Sequence, residues 1–213
     1  MVDGFRQVGR LRQGGPVAVT RVTLKIEDVF GELPVLESGR LILRQMEVDD
    51  APGLFEYCSD RDLLRHLPLE HTATLEDAVR CIQNFRAMYA AKKLAPWGVT
   101  LKETGKHIGI CGFESWNPFA DRAEIGFVIT RRYWRQGLAT EAATRVMRFG
   151  FEKMNLHRIE ARAKRENESS TQLLKKMGFQ YEGYLREQGY WMGAYHNLEF
   201  YSILRDEFYA VQR

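Results

Sequence analysis

A cluster of basic and small residues near the middle of the chain could bind an anion. Arg131, Arg132 and Arg135 precede Gly137, and an apolar pattern with helical spacing begins directly after that glycine. The first turn of a helix presents unpaired backbone N–H groups and the positive end of the helix dipole. Because Gly137 and Ala139 carry almost no side chain, a phosphate or pyrophosphate could approach these N–H groups closely. The same residues also fit an ordinary strand–loop–helix connection with a solvated basic loop.

The elements that must position this turn are a buried strand and an amphipathic helix. Residues 125–129 form an apolar run, and residues 138–154 carry apolar side chains at i, i+3 and i+4 spacing. Thr74 and residues 166–170 indicate the starts of two further helices. Alternating or apolar runs predict strands at 41–43, 97–101, 107–113, 122–129, 158–163, 179–184 and 196–204. We therefore predict an α+β fold with a mixed, mostly antiparallel sheet of about seven strands and a β–α–β crossover.

Composition limits the classes of function. The chain has 213 residues, of which 45% are hydrophobic and 12% aromatic, which suits one sizeable globular core. With 31 basic and 28 acidic residues, its net charge of +3 argues against general nucleic-acid binding. The three cysteines and five histidines show neither a disulfide framework nor a metal-ligand spacing. We expect a cytoplasmic protein, monomeric or homodimeric, with no metal and no membrane partner.

The beginning of the chain has a different character from the rest. Residues 1–21 contain Gly, Arg and Gln without any period, which favours a flexible leader. They could instead be an arm that packs on a partner subunit, or residues upstream of a natural start at Val22. We expect residues 26–36 to lie against the core as an irregular segment. Residues 1–35 are therefore interpreted as a partly flexible N-terminal extension.

Several short motifs, in order and at matching spacing, resemble a known family. They are R-L-I-L-R, G-I-C-G-F, A-E-I-G-F-V-I, Y-W-R-Q-G-L-A-T-E-A, H-R-I-E-A-R, N-E-S-S, K-K-M-G-F and Y-E-G-Y-L-R. Together they are similar to the GNAT acyl-CoA N-acetyltransferases, and among these to the RimJ/RimL-type protein N-acetyltransferases. The resemblance covers residues 36–208 and implies one GNAT N-acetyltransferase domain over residues 36–213, with helices on both faces of the sheet.

The resemblance implies where the co-substrate acetyl-CoA binds. Members of this family hold it where two central strands splay apart, and they hold its pyrophosphate on a loop that corresponds here to residues 134–139. The first position of that loop is Trp134 rather than Gln or Arg, so the contacts are expected from backbone N–H groups assisted by arginine. A backbone N–H near Phe127 or Val128 would stabilise the oxyanion. The residues implied to bind the coenzyme are Phe127, Val128, Ile129, Arg135, Gln136, Gly137, Leu138, Ala139, Thr140, Asn167 and Ser170.

The implied chemistry is attack of an amine on a thioester, which requires an unprotonated amine and therefore a base. Glu124 begins the central strand, at a position that the base of the family often occupies. It could instead be a structural carboxylate paired with Arg122 or Arg158. Glu187 is the competing carboxylate. Related RimL-type enzymes place a Glu two residues further on, where this chain has Gly189.

The departing thiolate must also take up a proton. Many members use a Tyr at the position of Leu174, which cannot donate a proton. The RimL-type alternative is a Ser three residues after Asn, so we predict Ser170 as acid or water-holding residue and Asn167 as a partner of the pantetheine arm. Both could also simply cap a helix. Glu141 fits the helix dipole, and His157 is interpreted as structural.

Three functions follow from this reading. The first is acetylation of a protein or peptide N-terminus. The second is acetylation of a small amine, such as a polyamine, an amino acid or an antibiotic. The third, suggested by Leu174 and Gly189, is a non-catalytic acyl-CoA-binding protein.

Overall fold

The computed structural model describes residues 28–29 and 32–212. Its strands are β1 (Leu36–Glu37), β2 (Leu41–Arg44), β3 (Trp97–Leu101), β4 (His107–Asn117), β5 (Arg122–Ile129), β6 (Arg158–Ala163), β7 (Gln180–Trp191) and β8 (Ala194–Leu204). They form one eight-stranded sheet in the order β1-β2-β3-β4-β5-β6-β8-β7. All neighbours are antiparallel except β5 and β6, so the predicted mixed, mostly antiparallel sheet is confirmed.

The helices differ in how they begin, and Asp60, Thr74 and Asn167 cap three of them with side-chain oxygens. They are α1 (Ala51–Cys58), α2 (Arg61–Leu64), α3 (Leu75–Ala90), α4 (Leu138–Glu152), α5 (Glu168–Lys176) and α6 (Arg205–Val211). At the start of α3, Thr74 Oγ1 accepts the N–H of Asp77 at 3.2 Å, and the Asp77 carboxylate accepts the N–H of Thr74 at 2.9 Å. This reciprocal pair satisfies N–H groups that have no partner inside the helix, which confirms Thr74 as the predicted N-cap.

The predicted β–α–β crossover is β5–α4–β6, and its two strands separate. They pair in parallel only where Arg122 meets Arg158, Ala123 meets Ile159 and Glu124 meets Glu160. Beyond Glu124 the register between them ends, so β5 and β6 diverge towards the first turn of α4. This divergence confirms the predicted splay at the centre of the sheet.

Helices cover both faces of the sheet. On one face Trp97 of β3 meets Phe149 of α4, with ring centroids 5.4 Å apart. Gly98 follows Trp97 and therefore faces the opposite side, where a Cβ would lie 3.2 Å from the ring of His107. There α1 packs so closely that a Cβ on Gly53 would lie 2.4 Å from the carbonyl oxygen of His107. The predicted placement of helices on both faces is confirmed.

The sheet is larger than predicted at its edges. Strand β1 has only two residues, too few to show an alternating pattern, yet Leu36 pairs with Leu43. Strand β7 extends to Trp191, past the predicted end at residue 184. Most of its side chains are exposed because it is an edge strand, so the apolar signal that marks a buried strand is absent.

The start of the described segment packs on this sheet. Leu33 is buried, and Trp97 Nε1 donates a hydrogen bond to the carbonyl oxygen of Pro34 at 2.7 Å. The expectations for residues 1–21 fall outside the described residues, and the boundary at residue 35 stays a prediction. Within the described residues, no helix combines the length and apolar character that crossing a membrane requires.

Candidate functional site

The loop between β5 and α4 brings a left-handed glycine to the start of the helix. Gly137 is the N-cap of α4 with φ +76°. Arg135 also has a positive φ, +61°, a conformation that costs a non-glycine residue about 1–2 kcal/mol. Neighbouring contacts hold the loop: Trp134 Nε1 donates to the carbonyl oxygen of Ile129 at 2.6 Å. These contacts therefore hold the backbone that leads into the first turn of α4, where the unpaired N–H groups lie.

A carboxylate on α4 fixes this turn from the other side. Glu141 Oε1 accepts the Ser38 hydroxyl and the N–H of Arg40, both at 2.7 Å, and Oε2 accepts Arg40 Nε at 2.7 Å. Arg40 Nη1 also donates to the carbonyl oxygen of Gln136 at 2.9 Å. Burial opposes ionisation of Glu141, but these hydrogen bonds outweigh it and lower the pKa of the carboxyl. Glu141 therefore joins the β1–β2 turn to the loop. The sequence indicated only its favourable interaction with the helix dipole.

The three arginines of the loop have different surroundings. Arg131 Nη2 pairs with Asp60 at 2.9 Å, and Arg132 Nε pairs with Glu56 at 3.0 Å. Both are held by the helices α1 and α2 or their caps, so the idea that all three arginines surround one anion is wrong. Arg135 alone of the three lines a cavity beside Gly137.

That cavity, called here the turn cavity, has a volume of about 530 Å³ and lies between the splayed end of β5, the loop and the start of α5. All the residues predicted to bind the coenzyme line it except one. They are Phe127, Val128, Ile129, Arg135, Gly137, Leu138, Ala139, Thr140, Asn167 and Ser170. The exception is Gln136, because its amide nitrogen donates back to the carbonyl oxygen of Arg132 at 3.2 Å.

Asn167 and Ser170 meet at the start of α5. The side-chain oxygen of Asn167 accepts the N–H of Ser170 at 3.3 Å and the hydroxyl of Ser169 at 2.9 Å. The helix-capping role left open by the sequence is therefore present. Both side chains also line the turn cavity, so capping and ligand contact are compatible here.

A second cavity, called here the sheet cavity, has a volume of about 450 Å³ and adjoins the first. Phe127, Val128, Asn167 and Ser170 line both cavities. Leu174, at the position of the family's Tyr, also lines the sheet cavity and has no proton to donate. The two spaces therefore meet at the point where β5 and β6 part.

Glu124 lies in the wall of the sheet cavity as half of an ion pair. It is buried, and both of its carboxylate oxygens accept hydrogen bonds from the guanidinium of Arg162, with Nε at 2.5 Å. The alternative of a structural carboxylate paired with Arg122 or Arg158 is wrong in its partner, because both of those arginines bond to Glu160, at 2.7 and 2.8 Å. The predicted role of Glu124 as base would require this bidentate pair to open.

Glu114 is a second carboxylate in the same cavity, and the sequence reasoning missed it. It lies in a β-bulge of β4, where the register with β5 shifts between Phe113 and Ser115. The residue as a whole is exposed, but its carboxylate lies against Gly126 in the cavity wall, and desolvation raises its pKa. The charge of Glu124 raises the pKa further, whereas Arg162 opposes the change. Only the position of the bulge, which alternation along the strand does not reveal, could have indicated this residue.

The remaining candidates are spread over the molecule. Glu187 is exposed on the β7–β8 hairpin, where its N–H donates to Asn197 at 2.8 Å, and it lines neither cavity. His157 is exposed at the start of β6. Tyr190 and Trp191, which are not among these candidates, line the sheet cavity. Within the described residues, no group of three or more His, Cys, Asp or Glu side chains could hold a metal ion.

Comparisons with known proteins identify the family. A family model described as "Acetyltransferase (GNAT) domain" matches residues 40–180. The chain is 40% identical over 172 residues to the uncharacterized N-acetyltransferase YoaA of Bacillus subtilis, covering 81% of this chain and 97% of that protein. It is 30% identical to YdaF of the same organism, named as a candidate ribosomal N-acetyltransferase, covering 78% and 92%.

Two further comparisons concern substrate and shape. A spermidine N(1)-acetyltransferase of Escherichia coli is 31% identical over 109 residues, covering 51% of this chain and 59% of that protein. The crystal structure of a GNAT-family acetyltransferase from Bacillus anthracis superimposes with a TM-score of 0.70 at 28% identity. The superposition covers 81% of this chain and 99% of that one.

Proposed function

The chain belongs to the GNAT acetyltransferase family, and from that premise we propose that it acetylates the N-terminal amine of a protein. Family membership establishes an acetyl-CoA-dependent N-acetyltransferase that transfers the acetyl group to an amine. The identity of the acceptor and the roles of individual residues are the proposed part.

The coenzyme is proposed to lie in the turn cavity. The N–H groups of Leu138, Ala139 and Thr140 would receive its diphosphate at the positive end of α4, with Arg135 alongside. The fit rests on the left-handed Gly137, which leaves the backbone open, and on the cavity that continues from this turn along residues 127–129 to Asn167.

The observation that supports the proposed site of acetyl transfer is the meeting of the two cavities at the splay. A thioester lying beside Phe127 and Val128 would have its carbonyl within reach of strand N–H groups that β6 leaves unpaired. An amine that enters from the sheet cavity could then attack the carbonyl carbon. Ser170, which lines both cavities, is placed to donate a proton or hold a water near the departing thiolate.

Two acceptor classes are supported by different observations. YdaF aligns with most of this chain, which favours a protein N-terminus. The spermidine acetyltransferase aligns with about half of it, and the uncompensated carboxylate of Glu114 suits a cationic small amine. The longer alignment is the reason for placing the protein N-terminus first.

Thiol release from acetyl-CoA separates these acceptors. Peptides that begin with free Ala or Ser are compared with spermidine, and the same peptides with an acetylated N-terminus serve as matched controls. We expect the free peptides to raise the rate of thiol release above the background hydrolysis, and the blocked peptides to leave it unchanged. A higher kcat/KM for spermidine than for every peptide would show that the acceptor is a small amine and not a protein N-terminus.

A further inference from the structure

The sheet cavity contains a carboxylate to which no function has been given. We propose that Glu114 binds the ammonium group of the acceptor and takes its proton before the amine attacks the thioester. This inference rests on the proposed acetyl transfer and identifies the group that prepares the acceptor.

The position of Glu114 follows from the bulge in β4. The extra residue turns the side chain towards β5, so that a Cβ built on Gly126 would lie only 2.0 Å from Glu114 Oε1. Gly126 directly precedes Phe127, which lines both cavities. The carboxylate thus lies over the strand that leads to the splay, and the absence of a side chain at Gly126 makes room for it.

The charges around the cavity leave Glu114 as the carboxylate available to a cation. Glu124 is neutralised by Arg162, which holds both of its oxygens. The carboxylate of Glu114 makes no hydrogen bond or salt bridge with any residue that the structure describes. The other ionisable groups in the wall are Lys164, His66 and Tyr190. Lys164 donates to the carbonyl oxygen of Arg65 at 3.2 Å and lies over the Trp191 ring, 5.6 Å from its centroid.

The proton balance of the step is complete with these groups. The acceptor enters as an ammonium ion, gives one proton to Glu114 and becomes a neutral amine whose lone pair attacks the carbonyl carbon. The C–S bond breaks as the amide forms, and the second proton of the amine passes to the thiolate through Ser170 or the water that it holds. Glu114 returns its proton to solvent. The raised pKa of Glu114 suits this role, since a base works best when its pKa approaches the working pH.

The test compares Glu114→Gln with Glu103→Gln, which removes the same charge from the exposed β3–β4 turn. The acceptors are a peptide that begins with Ala and the same peptide that begins with an aminooxyacetyl group, whose terminal amine is unprotonated at neutral pH. For the Ala peptide, we expect Glu114→Gln to lower kcat/KM by about 100-fold or more. For the aminooxy peptide, the ratio between variant and wild type should stay within about threefold, and acetyl-CoA affinity should not change.

Two further measurements separate a proton acceptor from a structural residue. Raising the pH should restore the activity of Glu114→Gln on the Ala peptide, because the free amine then forms without a base. Gly126→Ala, which displaces the carboxylate but keeps it, should lower activity in the wild-type background and add little to Glu114→Gln. Such non-additivity is expected when two changes remove one contact.

The outcomes distinguish this inference from the function on which it rests. If wild type acetylates the Ala peptide and Glu114→Gln behaves as Glu103→Gln does, the role of Glu114 is overturned. Equal losses for both peptides would also overturn it, because a structural defect affects every acceptor alike. If wild type binds acetyl-CoA but acetylates neither peptide nor spermidine, the proposed function is wrong, and the role of Glu114 is wrong with it.

Discussion

The turn cavity and the sheet cavity adjoin, yet they are built in different ways. Half of the residues that line the turn cavity belong to one segment, from Phe127 to Thr140, and most of the others belong to residues 167–176. The predicted ligand contacts of this cavity come from the backbone. The sheet cavity collects side chains from β4, β5, β6, β7 and α3, and its character comes from charged groups such as Glu114 and Arg162. One cavity depends on the path of the main chain, and the other on how distant strands pack.

This difference fits the two substrates of a family that keeps one donor and varies the acceptor. A backbone site recognises a diphosphate whatever side chains surround it, because N–H groups are present at every helix start. A site made of side chains can change its charge and shape through single substitutions. Changes to the first cavity should therefore affect coenzyme binding, and changes to the second should affect stability and acceptor use.

The largest expected effect is on the turn cavity. Gly137→Glu places bulk and negative charge where the diphosphate is proposed to bind, so acetyl-CoA affinity should fall by about 100-fold or more, a loss of about 3 kcal/mol. The matched control is Gly105→Glu, since Gly105 has a similar φ of +68° but no atom within 4 Å of its Cβ position. Calorimetric titration measures both. Equal affinity in the two variants would contradict the assignment of the turn cavity.

The next effect concerns the ion pair in the wall of the sheet cavity. Arg162→Met leaves Glu124 buried without its partner, which should lower the free energy of unfolding by about 2–3 kcal/mol, allowing for the partial exposure of Arg162. Coenzyme affinity should change little. Urea unfolding measures the loss against Arg148→Met, whose pair with Glu152 at 3.8 Å is exposed. A loss no greater than that of the control would show that the pair is not needed for stability.

A smaller effect is expected where the β1–β2 turn meets the coenzyme loop. Glu141→Gln removes the charge that Ser38 and Arg40 bind, so the loop should lose part of its order and acetyl-CoA affinity should fall by about tenfold, or 1–2 kcal/mol. The KM of the amine should remain unchanged. Glu152→Gln, at the other end of the same helix, is the control. If Glu141→Gln alters the KM of the acceptor and leaves coenzyme affinity normal, the separate roles assigned to the two cavities are contradicted.

The smallest effect is a pH-dependent gain in stability for Glu114→Gln. The pKa of Glu114 is raised above its ordinary value of 4.5 by desolvation of the carboxylate and by the charge of Glu124. At pH values between the ordinary pKa and the raised pKa, the folded state holds more protons than the unfolded state, so wild-type stability decreases as pH rises. The variant lacks this decrease and should be the more stable protein at pH 7, with the difference vanishing below about pH 4.5. If Glu114→Gln is less stable than wild type at pH 7, the prediction is wrong.

The turn cavity could be predicted from the sequence because its signals are local. Gly137, the helical spacing after it and the apolar run before it all lie within one segment, and the motifs identified the family. The strand bounds 97–101, 122–129 and 158–163 agree with the structure for a similar reason. These strands are buried and carry clear apolar patterns, so periodicity alone locates them.

The sheet cavity could not be predicted in the same way. Arg162 and Glu124 are 38 positions apart, and their pairing depends on where the register of β5 and β6 ends. The position of Glu114 depends on a bulge whose effect on one side chain is not encoded in strand alternation. Arg131 and Arg132 are another instance, because carboxylates at Asp60 and Glu56, on separate elements, decide their orientation.

The central claim is that the coenzyme's diphosphate binds the first turn of α4. The most direct measurement is an NMR titration of ¹⁵N-labelled protein with coenzyme A, following the backbone amides of residues 137–140. We predict saturable shifts of these amides that are larger than those of the β3–β4 turn around Gly105. Saturable binding that leaves the amides of residues 137–140 unshifted would contradict the account.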